Sequence, residues 1–92
     1  MPTLTIFYLS HCPYCKNAKR AVMELFTEDP AYTALELQWV EESEQPEIAD
    51  RYDYYRVPSV FMGKEKLYEA NPSQDYESIK ASLKTAFDRA LN

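Results

Sequence analysis

The feature that most constrains the fold is a pair of cysteines at the point where an apolar strand pattern changes into a helical one. Cys12 and Cys15 follow shortly after residues 3–9, an apolar run rich in β-branched and aromatic side chains. Proline is favoured in the first turn of a helix, because its φ is already suitable and its missing N–H is not needed there. Pro13 therefore predicts a helix that begins immediately after Cys12.

This position has chemical consequences for the two sulfur atoms. At a helix start, unpaired N–H groups and the positive end of the helix dipole favour the thiolate form of Cys12. Cys15 follows three residues later, about one helical turn on and less exposed, where it can attack a mixed disulfide formed at Cys12. The sequence therefore predicts a redox centre with Cys12 as the nucleophile and Cys15 as the resolving thiol.

A Cys-x-x-Cys pair has two possible roles other than redox chemistry. The pair can form half of a zinc site, but the chain has two cysteines and one histidine, His11, so four ligands would require a carboxylate or a second chain. A purely structural disulfide would close a very short loop, for which the entropic stabilisation is smallest. The redox role is favoured over both, and no metal site is predicted.

Composition and charge narrow the class of protein. Ninety-two residues, of which 46% are hydrophobic and 27% charged, predict a single domain over residues 1–92. A net charge of −5 disfavours binding to nucleic acid or to an anionic membrane surface, and no apolar run approaches the length of a membrane span. Without an export signal in residues 1–9 or any further cysteine, the expected location is the reducing cytoplasm, and the expected state is a monomer.

Apolar periodicity predicts a helix after the cysteines and then a second strand. Apolar residues at offsets of three, four, seven and eight mark a buried helical stripe, which should end before Pro30. Residues 35–41 alternate apolar with polar, as in a strand with one buried face, and Trp39 is expected in the core. The helical stripe consists of Ala18, Ala21, Val22, Leu25 and Phe26.

The second half of the chain predicts a short helix, a hairpin and a long helix. Ser43 is expected to cap a helix over residues 46–53. Residues 59–62 and 66–70 should pair around the only glycine, and residues 71–73 should cap and open the last helix. The order β-α-β-α-β-β-α predicts an α/β fold with a four-stranded mixed sheet and helices on both faces. The acidic group of Glu41, Glu42, Glu44 and Glu47 is expected at the start of the short helix. The cluster of Tyr52, Tyr54 and Tyr55 is expected to fill the space between this helix and the sheet. The apolar stripe of the last helix consists of Tyr76, Ile79, Leu83, Phe87 and Leu91.

The chain resembles the thioredoxin superfamily, and most closely its glutaredoxin branch. The residues that support this are Cys-Pro-Tyr-Cys at 12–15, after the first strand, and Val57-Pro58, just before the third. The resemblance implies a thioredoxin-like, glutaredoxin-type fold with a cis bond between Val57 and Pro58. It also implies that Val57 makes main-chain hydrogen bonds to substrate, that Pro58 shapes the surface next to Cys12, and that Tyr14 borders the substrate groove.

The chain departs from the thioredoxin pattern around its motif. Thioredoxins typically have Trp-Cys-Gly-Pro-Cys and a buried acid six residues before the first cysteine. This chain has His11 in place of the tryptophan, Pro-Tyr at 13–14, and Ile6 in place of the acid.

The chain also departs from glutaredoxins that bind glutathione. These usually have a lysine three residues before the first cysteine, a threonine before Val-Pro, and a Gly-Gly pair after the hairpin. Here the positions hold Leu9, Arg56 and residues 69–75, which contain no glycine. Larger side chains there narrow the glutathione site, although the Arg56 guanidinium and N–H groups near Ser73 offer donors for a carboxylate.

The sequence thus predicts a thiol–disulfide oxidoreductase that reduces protein or glutathione mixed disulfides. No tightly bound cofactor is expected, and either glutathione, as a co-substrate, or a flavoprotein of the thioredoxin reductase kind would restore the dithiol. His11 and Lys16 are candidates for tuning the Cys12 thiolate by their charge. Two alternatives are a glutathione-dependent module that binds an iron–sulfur cluster through Cys12, and a redox-inactive adaptor with the same fold.

Overall fold

Four strands form one mixed sheet in the order β2-β1-β3-β4 in the computed structural model, which describes residues 2–92. Met1 of the predicted domain lies outside the described residues. The strand β1 is parallel to β2 and antiparallel to β3, and β3 is antiparallel to β4, so the predicted mixed sheet is confirmed. The strands are β1 (Thr3–Tyr8), β2 (Glu36–Glu41), β3 (Ser59–Met62) and β4 (Glu65–Glu69).

Three α-helices and one 3₁₀-helix connect and cover the strands. They are α1 (Pro13–Glu28), a 3₁₀-helix that the sequence did not predict (Pro30–Ala34), α2 (Pro46–Ala49) and α3 (Tyr76–Leu91). Within residues 2–92, none of these helices combines the length and the apolar character needed to cross a membrane.

The larger core lies between α1, α3 and one face of the sheet. Leu4 and Ile6 of the central strand β1 point into it, because alternate residues of a strand face the same side. Trp39 is half buried and packs at its margin, since β2 is an edge strand. Burial of each large apolar side chain contributes about 1.5–3 kcal/mol. The predicted stripes are confirmed, with Ala18, Ala21, Val22, Leu25, Ile79, Leu83 and Phe87 buried and Phe26, Tyr76 and Leu91 partly buried.

A smaller aromatic core covers the opposite face of the sheet. Phe7 lies at its centre, with ring centroids 4.8 Å from Tyr52, 4.8 Å from Tyr54 and 5.8 Å from Phe61. The predicted tyrosine cluster is therefore confirmed for two of its members. Tyr55 is 89% exposed and does not fill this space. Helical structure on both faces of the sheet is confirmed, because the α2 segment packs here and the long helices pack on the other side.

The second α-helix begins at Pro46 as predicted, but its predicted end, its predicted cap and the predicted start of the third α-helix are wrong. Helix α2 ends at Ala49 rather than at residue 53 and is preceded by Gln45, whose side chain forms no capping hydrogen bond. Helix α3 is capped by Asp75, which accepts a hydrogen bond from the N–H of Ser78 at 2.8 Å, and not by residues 71–73. The N–H and hydroxyl of Ser43, predicted as a helix cap, instead donate to the carboxylate of Glu41.

Candidate active site

Cys12 lies at the N-terminus of α1, as the sequence predicts. Its N–H donates to the carbonyl oxygen of Leu9 at 3.3 Å, which closes a tight turn between β1 and the helix. Its carbonyl oxygen then accepts the first helical hydrogen bond, from Lys16 N–H at 3.0 Å, and Pro13 is the first residue of the helix. The Cys12 sulfur accepts the N–H of Cys15 at 3.3 Å, so the sulfur itself satisfies one of the free donors of the helix start.

A second segment faces this sulfur from the start of β3. The peptide bond between Val57 and Pro58 is cis, which confirms the expectation from the resemblance. The Cys12 thiol contacts the carbonyl oxygen of Val57, with 3.8 Å between sulfur and oxygen. Pro58 is buried. Two segments that lie 45 residues apart in the sequence therefore meet at the half-exposed Cys12.

Cys15 lies behind Cys12 and differs from it in exposure. Its side chain is 2% exposed, and both cysteines are free thiols. Burial raises the pKa of the Cys15 thiol to about 12, against the opposing effect of the Leu9 N–H, which lies 3.5 Å from the sulfur. The neighbouring Cys12 and the negative charge of Glu42 raise this pKa further. Cys15 is therefore a neutral thiol near neutral pH.

This pKa predicts a loss of stability of the dithiol protein in alkaline solution. The folded-state pKa of about 12 exceeds the ordinary value of 9.0, so the contribution of Cys15 is fully present below about pH 9 and is lost as pH rises towards 12. Tyr68, whose pKa burial also raises to about 12, acts in the same direction. We expect the melting temperature of the reduced protein to fall more steeply between pH 8 and pH 11 than that of Cys15→Ser. Parallel declines of the two proteins would contradict this prediction.

A groove of about 260 Å³ lies beside the two facing segments. Three of the predicted substrate-binding residues, Tyr14, Arg56 and Val57, line it together. Glu42 and the exposed Tyr55 also line it. The groove is lined by a carboxylate, that of Glu42, and by a cation, the Arg56 guanidinium, and its walls are partly aromatic.

One end of the groove is closed by the loop that follows β4. The hydroxyl of Tyr14 donates to the carbonyl oxygen of Pro72 and so joins α1 to this loop. Asn71 Oδ1 accepts the N–H of Ser73 at 3.2 Å and the Ser73 hydroxyl at 2.8 Å. The prediction that N–H groups near Ser73 are available to a glutathione carboxylate is therefore wrong for the Ser73 N–H itself, because a side chain of the same loop already occupies it.

The loop that leads to Val57 is held by a carboxylate that the sequence analysis did not identify. Glu69 Oε2 accepts the N–H groups of Tyr55 and Arg56, each at 2.6 Å, and Glu69 Oε1 accepts Lys66 Nζ at 2.7 Å. Partial burial works against ionisation of Glu69, but the hydrogen bonds from Lys66 and the two N–H groups hold its pKa below the usual range. The Arg56 guanidinium makes no ion pair with residues 2–92, so its donors face the groove free.

The two residues predicted to tune Cys12 lie outside this groove. His11 is exposed, and Lys16 lines a separate cavity of about 180 Å³, which it shares with Cys15, Ser10 and Lys19. The structure thus brings Lys16 near the resolving cysteine, and the tuning roles of His11 and Lys16 stay predictions. Across residues 2–92, no three His, Cys, Asp and Glu side chains are grouped to hold a metal ion.

Glu41, at the end of β2, is a second carboxylate whose place beside the site was not predicted from the sequence. Hydrogen bonds from Ser43 and Ser10 outweigh burial and lower the pKa of its carboxyl to about 2. The sequence signal that could have found it is positional. Glu41 ends the strand that runs parallel to β1, and active sites of such sheets lie beyond the carboxyl ends of parallel strands.

Comparison with known proteins identifies one relative by sequence. No family model matches the chain. The chain is 29% identical over 82 residues to a thioredoxin from Methanocaldococcus jannaschii, and the aligned span covers 87% of the chain and 94% of that thioredoxin.

Solved structures with the same fold include a thioredoxin and two other proteins. A mutant thioredoxin from Halobacterium salinarum matches with a TM-score of 0.58 and 21% identity, over 92% of this chain and 74% of that one. Trxlp from Edwardsiella tarda matches with a TM-score of 0.59 and 20% identity, over 87% of this chain and 79% of Trxlp. A malarial protein matches with a TM-score of 0.61 and 15% identity, over 91% of this chain and 94% of the malarial protein. These matches show that the chain has a thioredoxin-like fold.

Proposed function

We propose that the protein is a thiol–disulfide oxidoreductase in which Cys12 attacks a substrate disulfide and Cys15 resolves the intermediate. The observation that supports this most directly is the place of the Cys12 sulfur, half exposed at a helix N-terminus and facing the carbonyl oxygen of Val57. Helix N-termini stabilise a thiolate, which is the nucleophilic form of cysteine. The similarity to a thioredoxin along most of the chain favours the same chemistry.

The proposed reaction transfers two electrons from the dithiol to the substrate. The Cys12 thiolate forms a bond to one substrate sulfur, the substrate S–S bond breaks, and the other substrate sulfur leaves as a thiolate that takes a proton from water. Cys15 then loses its proton and attacks the Cys12 sulfur, which releases the second substrate sulfur as a thiolate and leaves a Cys12–Cys15 disulfide. The dithiol is oxidised and the substrate disulfide is reduced.

The second step requires the buried Cys15 to lose its proton. Because the pKa of Cys15 is about 12, its thiolate is rare before the attack. The second substrate sulfur, which leaves as a thiolate when Cys15 attacks, is a suitable acceptor for the Cys15 proton. Cys15 also lines a cavity of about 180 Å³ together with Lys16. Without an acid at position 6, this protein would carry out the resolving step with no buried carboxylate at the thioredoxin position.

We further propose protein disulfides as substrates and a flavoprotein of the thioredoxin reductase kind as the electron donor. An exposed tyrosine, Tyr55, lines the groove and offers aromatic contact to a polypeptide. The glycine pair that lets glutathione approach the backbone is absent, and Asn71 already occupies the N–H of Ser73. The reducing cytoplasm, as the expected location, would keep both cysteines as the free thiols of the structure.

A side-by-side turnover assay tests this choice of donor. The protein is assayed with NADPH and thioredoxin reductase, and separately with glutathione and glutathione reductase, on a protein disulfide and on a small glutathione mixed disulfide. We expect the thioredoxin reductase system with the protein disulfide to be at least about tenfold faster, because the glycine pair is absent and the N–H of Ser73 is occupied, which leaves fewer hydrogen-bond donors for a glutathione carboxylate. Cys12→Ser provides the blank for each arm.

Each remaining outcome of the assay contradicts a different part of the proposal. Activity with glutathione alone would assign the donor to glutathione and favour the predicted glutaredoxin type. Absence of turnover in every arm would contradict the oxidoreductase function itself. Colour after anaerobic purification, with stoichiometric iron and sulfide, would favour the cluster-binding module instead.

A further inference from the structure

The carboxylate of Glu41 is bound on both oxygens although it lies almost completely inside the protein. Glu41 is only 7% exposed. Oε2 accepts the N–H of Ser10 at 3.1 Å and the Ser10 hydroxyl at 2.7 Å. Oε1 accepts the N–H and the hydroxyl of Ser43, both at 2.6 Å. Four donors therefore converge on one charged acceptor, and charge-assisted hydrogen bonds of this kind are among the strong ones.

Ser10 belongs to the tight turn that delivers Cys12 to the helix. The turn runs from Leu9 to Cys12, closed by the hydrogen bond from Cys12 N–H to Leu9 O at 3.3 Å. Ser10 and His11 are its two central residues. Leu9 also supplies the N–H that lies 3.5 Å from the Cys15 sulfur. A displacement of Ser10 would therefore change the placement of both sulfur atoms.

The strand β2 provides a rigid base for this contact. Glu41 pairs with Tyr8 at the last position of the parallel ladder, and the next N–H along, of Glu42, donates to Tyr8 O at 3.0 Å. Glu41 is thus fixed by the sheet at one end and by Ser43 on the other side. The carboxylate joins the sheet directly to the turn, across 31 residues of sequence.

We propose that Glu41 is a positioning residue, whose carboxylate holds the Leu9–Cys12 turn so that Cys12 is kept at the helix start in a reactive position. This inference depends on the proposed function for its catalytic meaning, but the placement of Cys12 can be measured without any turnover. Glu41 acts through Ser10 and does not touch the reacting sulfur atoms. The neutral isostere glutamine cannot accept four hydrogen bonds, because its NH₂ group is itself a donor.

The test is the rate of Cys12 alkylation by iodoacetamide in Glu41→Gln, measured at neutral pH well below the melting temperature. Misplacement of the sulfur is expected to slow alkylation of Cys12 roughly three- to tenfold and to slow turnover by a similar factor, with Cys15 still protected. Ser10→Ala, which removes one of the two Ser10 donors, is expected to have a smaller effect in the same direction. Glu44→Gln is the matched control, because it removes the same charge from an exposed side chain in the same loop.

Two competing explanations predict that alkylation of Cys12 becomes faster in Glu41→Gln, not slower. Loss of a nearby negative charge, acting directly, would favour the Cys12 thiolate and speed its alkylation. A merely structural role would loosen the fold and make both cysteines more reactive. Either faster alkylation or an unchanged rate in Glu41→Gln would overturn the proposal. If the wild-type protein shows no turnover, the proposed function fails, and the alkylation rates still decide the role of Glu41.

Discussion

Cys12→Ser is expected to abolish disulfide reduction, with turnover lowered by at least about a thousandfold. A serine hydroxyl can replace the sulfur as acceptor for the N–H of Cys15, because serine is a favoured residue at a helix start. It is not an effective nucleophile at neutral pH without a dedicated base. The fold should therefore survive while the first step stops. Turnover with the preferred donor is the measurement, and the melting temperature shows that the variant is folded.

Cys15→Ser is the matched variant, because it retains the nucleophile and removes the resolving thiol. It is expected to form one covalent adduct per chain with a protein disulfide, which appears as an added mass that a reductant removes. Full turnover by Cys15→Ser would indicate that a second thiol from solution resolves the intermediate. Undiminished biological activity of Cys12→Ser would instead favour the redox-inactive adaptor.

The parts of the fold that local patterns determine could be predicted from the sequence. The stripe of α1 is apolar at helical spacing, and Pro13 marks its first residue, so both the helix and its buried face follow from neighbours along the chain. The hairpin follows from one glycine between two short apolar runs, and Gly63 indeed has a φ of +60°. The positions of Cys12 at the start of α1 and of Cys15 about one turn later follow from the same local reasoning.

The hydrogen bonds that hold the site together could not be predicted in this way. The pairing of two parallel strands brings Glu41 beside Ser10. Ser43, which looks like a helix cap, instead donates to Glu41 two residues before it. Glu69 likewise reaches the loop of Arg56 only because β4 pairs with β3. Such contacts depend on strand register, which a single sequence does not reveal beyond its hydrophobic pattern.

The first residue of α3 could not be predicted for a different reason, because several residues near it are equally suitable helix caps. Asn71, Ser73 and Asp75 are all residues that favour helix caps, so the sequence offers three starts. Asn71 and Ser73 bind each other, and Asp75 binds the N–H of Ser78. The local pattern therefore placed the helix but not its first residue. This choice matters for function, because it decides whether the N–H of Ser73 is free for an anion.

The second large expected effect is a difference in reactivity between the two thiols of the reduced protein. Cys15 is 2% exposed and has a pKa of about 12, whereas Cys12 is half exposed. At pH 8 almost all Cys15 side chains are neutral thiols, whereas the thiolate is the form that reacts with alkylating agents. We expect iodoacetamide to modify Cys12 at least about a hundredfold faster than Cys15, as measured by the mass of each cysteine peptide over time.

The denatured protein is the control for this measurement, because both thiols are then exposed and should react at similar rates. A hundredfold difference that disappears on unfolding would show that the native structure, rather than the local sequence, protects Cys15. Similar rates in the native protein would contradict the buried position of Cys15 and, with it, the order of attack proposed here. A dithiol reductase must expose one sulfur to the substrate and keep the other within reach of the first. A protein in which both sulfur atoms were equally open would have no fixed nucleophile.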